Sequence, residues 1–143
     1  MGSIAGHRKR IEEHLEELKD AINTGIQLRP ATIGFHSMGC AVELLELYLH
    51  RKALIDPGKI IKHDWFKRPK QGQKIDPLIE RKLPVNFEGK DEIYGLLYNI
   101  EENRDGLIYG NSSRQQIELV LEAFQKLKSL LLEMLEKEGE SIG

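Results

Sequence analysis

Between Asn103 and Asn111 the chain sets an arginine, an acid, a phenol and two glycines into nine residues, Asn103-Arg104-Asp105-Gly106-Leu107-Ile108-Tyr109-Gly110-Asn111. A guanidinium presents a fixed fork of N–H donors that matches a phosphate or a carboxylate. A phenol gives or takes one proton, and the amides of Asn103 and Asn111 add neutral hydrogen bonds. Such a set supports anion binding with proton handling. Gly106 and Gly110 permit a sharp bend, so the segment reads as a polar insertion between two apolar helical stretches. The bland alternative is structural: Arg104 pairs with Asp105, Glu101 or Glu102 at a helix end, and Tyr109 packs over the junction.

Other residues offer weaker chemistry. Lys59, Lys62, His63, Lys67, Arg68, Lys70 and Lys74 surround Trp65 and Phe66, making a basic and aromatic patch. Phosphate attraction combined with base stacking is a physical route to single-stranded nucleic acid, and Lys62, Trp65, Lys67, Arg68 and Lys70 are its core. Against this stands a loop that uses Trp65-Phe66 only as an anchor. Glu46 with His50 and His14 with Glu17 have the spacing of ligands on one helix face. His14, however, lies among glutamates on what reads as a solvated face, so no metal and no cofactor is expected. His36 reads as an interior or interface histidine. Cys40, the single cysteine, lies in an apolar run where nothing lowers its pKa, so it reads as core.

These residues must be positioned by helices. Ile11, Leu15, Leu18 and Ile22 recur at steps of four and three among acids and lysines, which predicts an amphipathic helix ending near Thr24-Gly25. Pro30 suits the first turn of a second helix, roughly Ala31 to Leu54, that is apolar nearly all round and therefore central. Gly34 and Gly39 inside it suggest close backbone packing against another subunit, the bland alternative being a helix that simply starts later. From Ile55 to Gly89 four of the five prolines interrupt the pattern, leaving a long connection with one short helix, Asp76 to Leu83. A third long helix begins near Lys90. Ser112/Gln115 and Ser113/Gln116 offer two capping boxes ahead of the last helix, whose apolar residues run from Ile117 to Leu135.

The expected fold is all-α: an antiparallel, up-and-down four-helix bundle with a long connection and a short extra helix between the second and third long helices. One domain spans 1-143, with 1-6 and 139-143 expected to fray. The apolar surplus on the second and last helices predicts a homodimer. With 21 basic against 23 acidic residues and a net charge of −2, a wholesale nucleic-acid-binding surface is excluded, and any contact is local. No apolar stretch reaches the roughly 18–20 residues of a membrane span, and the start carries no apolar export segment. Together with the lone cysteine this predicts a cytoplasmic protein.

Arg104-Asp105-Gly106-Leu107-Ile108-Tyr109-Gly110, directly ahead of the last helix, resembles the signature of HEPN domains, in which an arginine is followed after four to six residues by histidine. Ala41-Val42-Glu43-Leu44-Leu45 resembles the second-helix pattern of small residues followed by glutamate. His63-Asp64-Trp65 resembles the His-Asp-Leu of the following loop. The chain departs from the pattern at Tyr109, where active members carry histidine. Asn111 stands where some toxin members carry tyrosine, and Leu47 where many relatives carry lysine.

The resemblance implies a dimeric helical domain that binds nucleotide or RNA, with Arg104 and Tyr109 at the catalytic positions. Asn103, Asp105, Asn111, Glu43 and His63 are its further ligand-binding candidates. A small nucleotidyltransferase is an implied partner, and toxin-antitoxin pairs are the implied setting. In active relatives the histidine and arginine together activate the ribose 2′-hydroxyl and stabilise the scissile phosphate. A phenol with an ordinary pKa near ~10 is a far poorer base at neutral pH than an imidazole near ~6.5. Binding is therefore expected over cleavage. The alternatives are a metal-independent endoribonuclease in which His63 or His36 replaces the missing histidine, and a purely structural helical protein.

Overall fold

The computed structural model describes residues 3–140, and among them every regular element is helical. Helix α1 spans Ile4–Thr24, α2 Pro30–Arg51, the short α3 Leu78–Lys82, α4 Lys90–Tyr109 and α5 Arg114–Lys137, with a 3-10 turn over His63–Phe66. The punctuation follows local chemistry. Ser3 Oγ accepts from the Gly6 N–H at 3.0 Å to cap α1, and Gly25 ends it with φ at +129°. Pro30 opens α2. Ser113 Oγ accepts from the Gln116 N–H at 3.1 Å to cap α5.

Several boundaries differ from expectation. The polar segment is not an insertion: α4 continues unbroken through Arg104 and Gly106 to Tyr109, and only Gly110 to Ser113 turn the chain. Gly106 serves space, not bending. A Cβ there would lie 2.7 Å from Gln116 Nε2 of α5, and Gly110 itself is extended. Helix α2 stops at Arg51, because Ala53 takes φ of +56°. At both ends the described residues make defined contacts. Residues 3–6 belong to the α1 start, and the Glu140 N–H donates to the Leu135 carbonyl while its carboxylate accepts from Arg8 at 3.1 Å. Residues 1, 2 and 141–143 lie outside the described part.

Helix α2 occupies the centre. It packs against α1, α4, α5 and the 3-10 turn, and α4 packs on α5. Its thirteen buried residues, from Ile33 to Leu49, are covered by these neighbours. These neighbours cover most of the apolar surface of α2, while Phe35 on α2 and Leu119 on α5 stay exposed. Gly34 allows the approach of α4, since a Cβ there would sit 2.9 Å from Leu107 Cβ and 3.2 Å from the Arg104 carbonyl. Gly39 does the same for the ring of His14 on α1, at 2.8 Å. The connection from Lys52 to Gly89 is tied down: Ile61, Trp65, Phe66, Ile79 and Leu83 are all buried in the core. No described helix is long and apolar enough to cross a membrane.

Candidate functional site

An unbroken α4 decides the geometry of the Arg104 segment. At about 100° per residue, positions five apart lie about 140° apart around the axis, so Arg104 and Tyr109 face different ways. Arg104 turns inward, its side chain 13% exposed, and its Nη1 donates to Asp105 Oδ1 at 3.1 Å. Tyr109 is 82% exposed and does not line the cleft that Arg104 lines. Asn103 looks toward α5, where its Oδ1 accepts from Gln116 Nε2 at 3.2 Å, and Asn111 is exposed beyond the helix end.

Arg104 lines a cleft of about 370 Å³ with Glu43 and His63, which come from three separate elements. Met38, Val42, Ile60 and Ile61 give it apolar walls, and Lys62, Asp64, Glu46 and His14 add polar groups. Two buried carboxylates hold the connection in place as one wall. Glu46, 4% exposed, accepts from the Ile61 N–H through Oε2 at 2.5 Å. Glu101 binds His63 Nδ1 through both oxygens at 2.9 and 3.0 Å. Burial pushes both carboxyls above the ordinary carboxylate value; the Ile61 N–H and the His63 ring pull the other way without overcoming it. With Nδ1 held by Glu101, His63 keeps Nε2 without a hydrogen-bond partner among the described residues.

A polar seam joins α1 to α2. His7 Nδ1 lies 2.7 Å from Glu43 Oε1, and His7 Nε2 lies 2.7 Å from His50 Nδ1. His50 Nε2 donates to the Asp56 carbonyl at 3.0 Å, and Arg10 Nε donates to Glu43 Oε2 at 2.7 Å. Burial alone would raise the Glu43 carboxyl, but the bonds from His7 and Arg10 outweigh it and hold Glu43 below its ordinary value. Burial lowers His50, making its neutral form the favoured one. One turn and more along the seam, His14 Nδ1 meets His36 Nδ1 at 2.8 Å. Burial lowers both rings, and their proximity lowers His14 further. Sequence reading placed His14 on a solvated face; it lies instead over Gly39, where a missing side chain makes room for the ring.

The basic patch is divided. Trp65 is 9% exposed with Lys59 Nζ 5.6 Å from its ring centroid, and Phe66 is fully buried against Tyr94 and Tyr98. Neither ring offers a face for base stacking, so these two anchor the connection. Arg68 is engaged by Glu102 and by Asn99 Oδ1, over the Tyr98 ring. Lys62, Lys67 and Lys70 remain exposed, and of these only Lys62 lines the cleft. Burial pushes the Cys40 thiol up to about 12.

Sequence reasoning missed His7 and Arg10, and it named Glu101 only as a possible partner of Arg104, not of His63. A signal for His7 was present: His7, Ile11, His14, Leu18 and Ala21 follow one another at steps of four and three, as do His36, Gly39, Glu43, Glu46 and His50 on α2. Polar residues filled the seam positions that apolar ones mark elsewhere. Glu101 carried no comparable signal, because its burial depends on where a distant loop folds back. No protein-family model, curated protein or solved structure matches this chain.

Proposed function

We propose that the chain is an HEPN-like, dimeric four-helix bundle that binds the phosphate of a nucleotide or of RNA in the cleft at Arg104, without efficient catalysis. The observation that carries this reading is the convergence of Arg104, Glu43 and His63 on one cleft from α4, α2 and the connection. Arg104 spends one described hydrogen bond on Asp105, and a guanidinium has further donors for a phosphate oxygen. Lys62 adds charge at the rim, and Glu43 is compensated by Arg10 and His7. Tyr109, away from this cleft, is not the base of the same chain's site. A homodimer and a small nucleotidyltransferase partner belong to the same reading.

Fluorescence anisotropy with a labelled single-stranded RNA in EDTA tests it. Binding should weaken as salt rises, and Arg104→Ala should weaken it by at least about tenfold, the worth of a charge-assisted bond. RNA affinity unchanged in Arg104→Ala, or no affinity at low salt, would sink the reading.

One arrangement favours the cleaving alternative. A histidine with Nδ1 fixed by a carboxylate and Nε2 open is the geometry of an oriented general base, and His63 with Glu101 has it beside Arg104. In that case Nε2 takes the ribose 2′-hydroxyl proton while Arg104 stabilises the phosphate. RNA cleavage in EDTA that disappears in His63→Gln, with RNA binding retained, would establish this second reading over the first.

A further inference from the structure

We propose that His7, Glu43 and Glu46 form a site for one divalent transition-metal ion of the zinc class, reached from the cleft that the two glutamates line. The three side chains offer ligand atoms that all lie within 4.8 Å of one another. His7 Nδ1 is 2.7 Å from Glu43 Oε1 and 3.8 Å from Glu46 Oε1. An ion held tetrahedrally at about 2.0–2.1 Å from each ligand would set them about 3.3 Å apart. Shifts of well under an ångström bring these two distances to that spacing, and the widest separation in the set, up to 4.8 Å, closes by up to about 1.5 Å through side-chain rotation. His7 is 2% exposed and Glu46 4%.

The far atoms of the three groups separate this cluster from a chance meeting of polar residues. His7 Nε2 is held by His50 Nδ1, which is itself fixed through Nε2 on the Asp56 carbonyl. Glu43 Oε2 is held by Arg10 Nε, and Glu46 Oε2 by the Ile61 N–H. Each ligand thus has one atom tied outward and one turned inward, the arrangement in which outer partners fix a metal ligand's tautomer and direction. Glu46 Oε1, on a carboxylate buried beyond nine-tenths, has no hydrogen-bond partner among the described residues, and it lies 3.8 Å from His7 Nδ1. Two carboxylates balance a divalent charge. Metal binding uses the His7 Nδ1 lone pair, so a proton held there passes to water, and Arg10, whose Nη2 lies 3.4 Å from His7 Nδ1, keeps its bond to Glu43 Oε2. Imidazole as a ligand favours zinc over magnesium or calcium, which prefer oxygen alone. Because Glu43 and Glu46 both line the cleft, water can complete the coordination.

Isothermal titration of the metal-stripped full chain with zinc chloride, without RNA, tests the site. We expect about one equivalent bound per chain, with His7→Ala and Glu46→Gln each weakening it by about 100-fold or more. His14→Ala, which removes the neighbouring histidine pair, should leave it unchanged, as should Arg104→Ala, so the result is independent of RNA binding. Glu46→Gln also touches the Ile61 anchor, so Glu43→Gln supplies a second readout: the visible spectrum of the cobalt(II)-loaded chain should change. No zinc bound with a Kd below about 0.1 mM, unchanged binding in folded His7→Ala and Glu46→Gln, an unaltered cobalt spectrum in Glu43→Gln, or loss of binding in His14→Ala would each overturn the proposal.

Discussion

Cys40 and Arg104 are both largely hidden from water, yet burial has opposite chemical consequences for them. A guanidinium stays charged at any working pH and gains strength as a phosphate ligand where water is scarce. A thiol reacts only as thiolate, and burial pushes Cys40 up to about 12. At pH 8 such a thiol is ionised to roughly one part in ten thousand, against about a quarter for a free cysteine. Folded protein should therefore resist iodoacetamide and label fully in guanidinium chloride, as read by intact mass. Labelling of the native chain at the rate of a free thiol would place Cys40 on the surface. Tyr109 is the converse: fully accessible but far round the helix from Arg104. Its spacing from Arg104 was legible in the sequence, but what that spacing means depends on whether the backbone between them is helical or bent.

Among the long helices α1 packs closest on α2, and a groove lined by Leu15, Leu18 and Phe124 runs between it and α5. Its docking therefore depends mainly on one seam, which pairs His7 with His50 and His14 with His36. At the second pair one ring donates and the other accepts, which requires a neutral partner. Burial lowers both pKa values below the unfolded value. The unfolded chain consequently takes up protons first as pH falls. The stabilisation is present above the unfolded histidine value near ~6.5 and lost as pH drops through the lower folded values. Urea midpoints should fall between pH 7 and 5, and the His14→Gln/His36→Gln double variant should show a smaller fall. An equal fall in both proteins would assign the acid sensitivity elsewhere. Helices α1 and α5 were legible because apolar residues recur at helical spacing, and Ser113 and Gly25 marked ends for definite chemical reasons. The seam was legible only by matching two stripes, because histidine and glutamate at steps of three and four on α1 look like a solvated face unless the same spacing on α2 is set beside them.

Whether the chain from Lys52 to Gly89 is a separate flap or part of one cooperative unit bears on everything proposed for the cleft, since Ile60 to Asp64 form its wall. Its four prolines break the helical pattern, which reads as a long connection with one short helix. The contacts argue for integration. Phe66 is fully buried with Tyr94 and Tyr98 around it, and Tyr48, Phe87 and Tyr94 continue the aromatic cluster toward α2. Glu46 and Glu101 add two polar anchors from α2 and α4. If the connection folds with the rest, removing the Phe66 ring must destabilise the whole molecule by about 3–5 kcal/mol, a large part of the roughly 5–15 kcal/mol that holds a domain of this kind together. Phe66→Ala should then lower the urea midpoint in one transition, with circular dichroism and tryptophan fluorescence from Trp65 moving together and the m-value unchanged. If instead the fluorescence change precedes the loss of helix, the connection opens by itself, and the cleft exists only while it is closed.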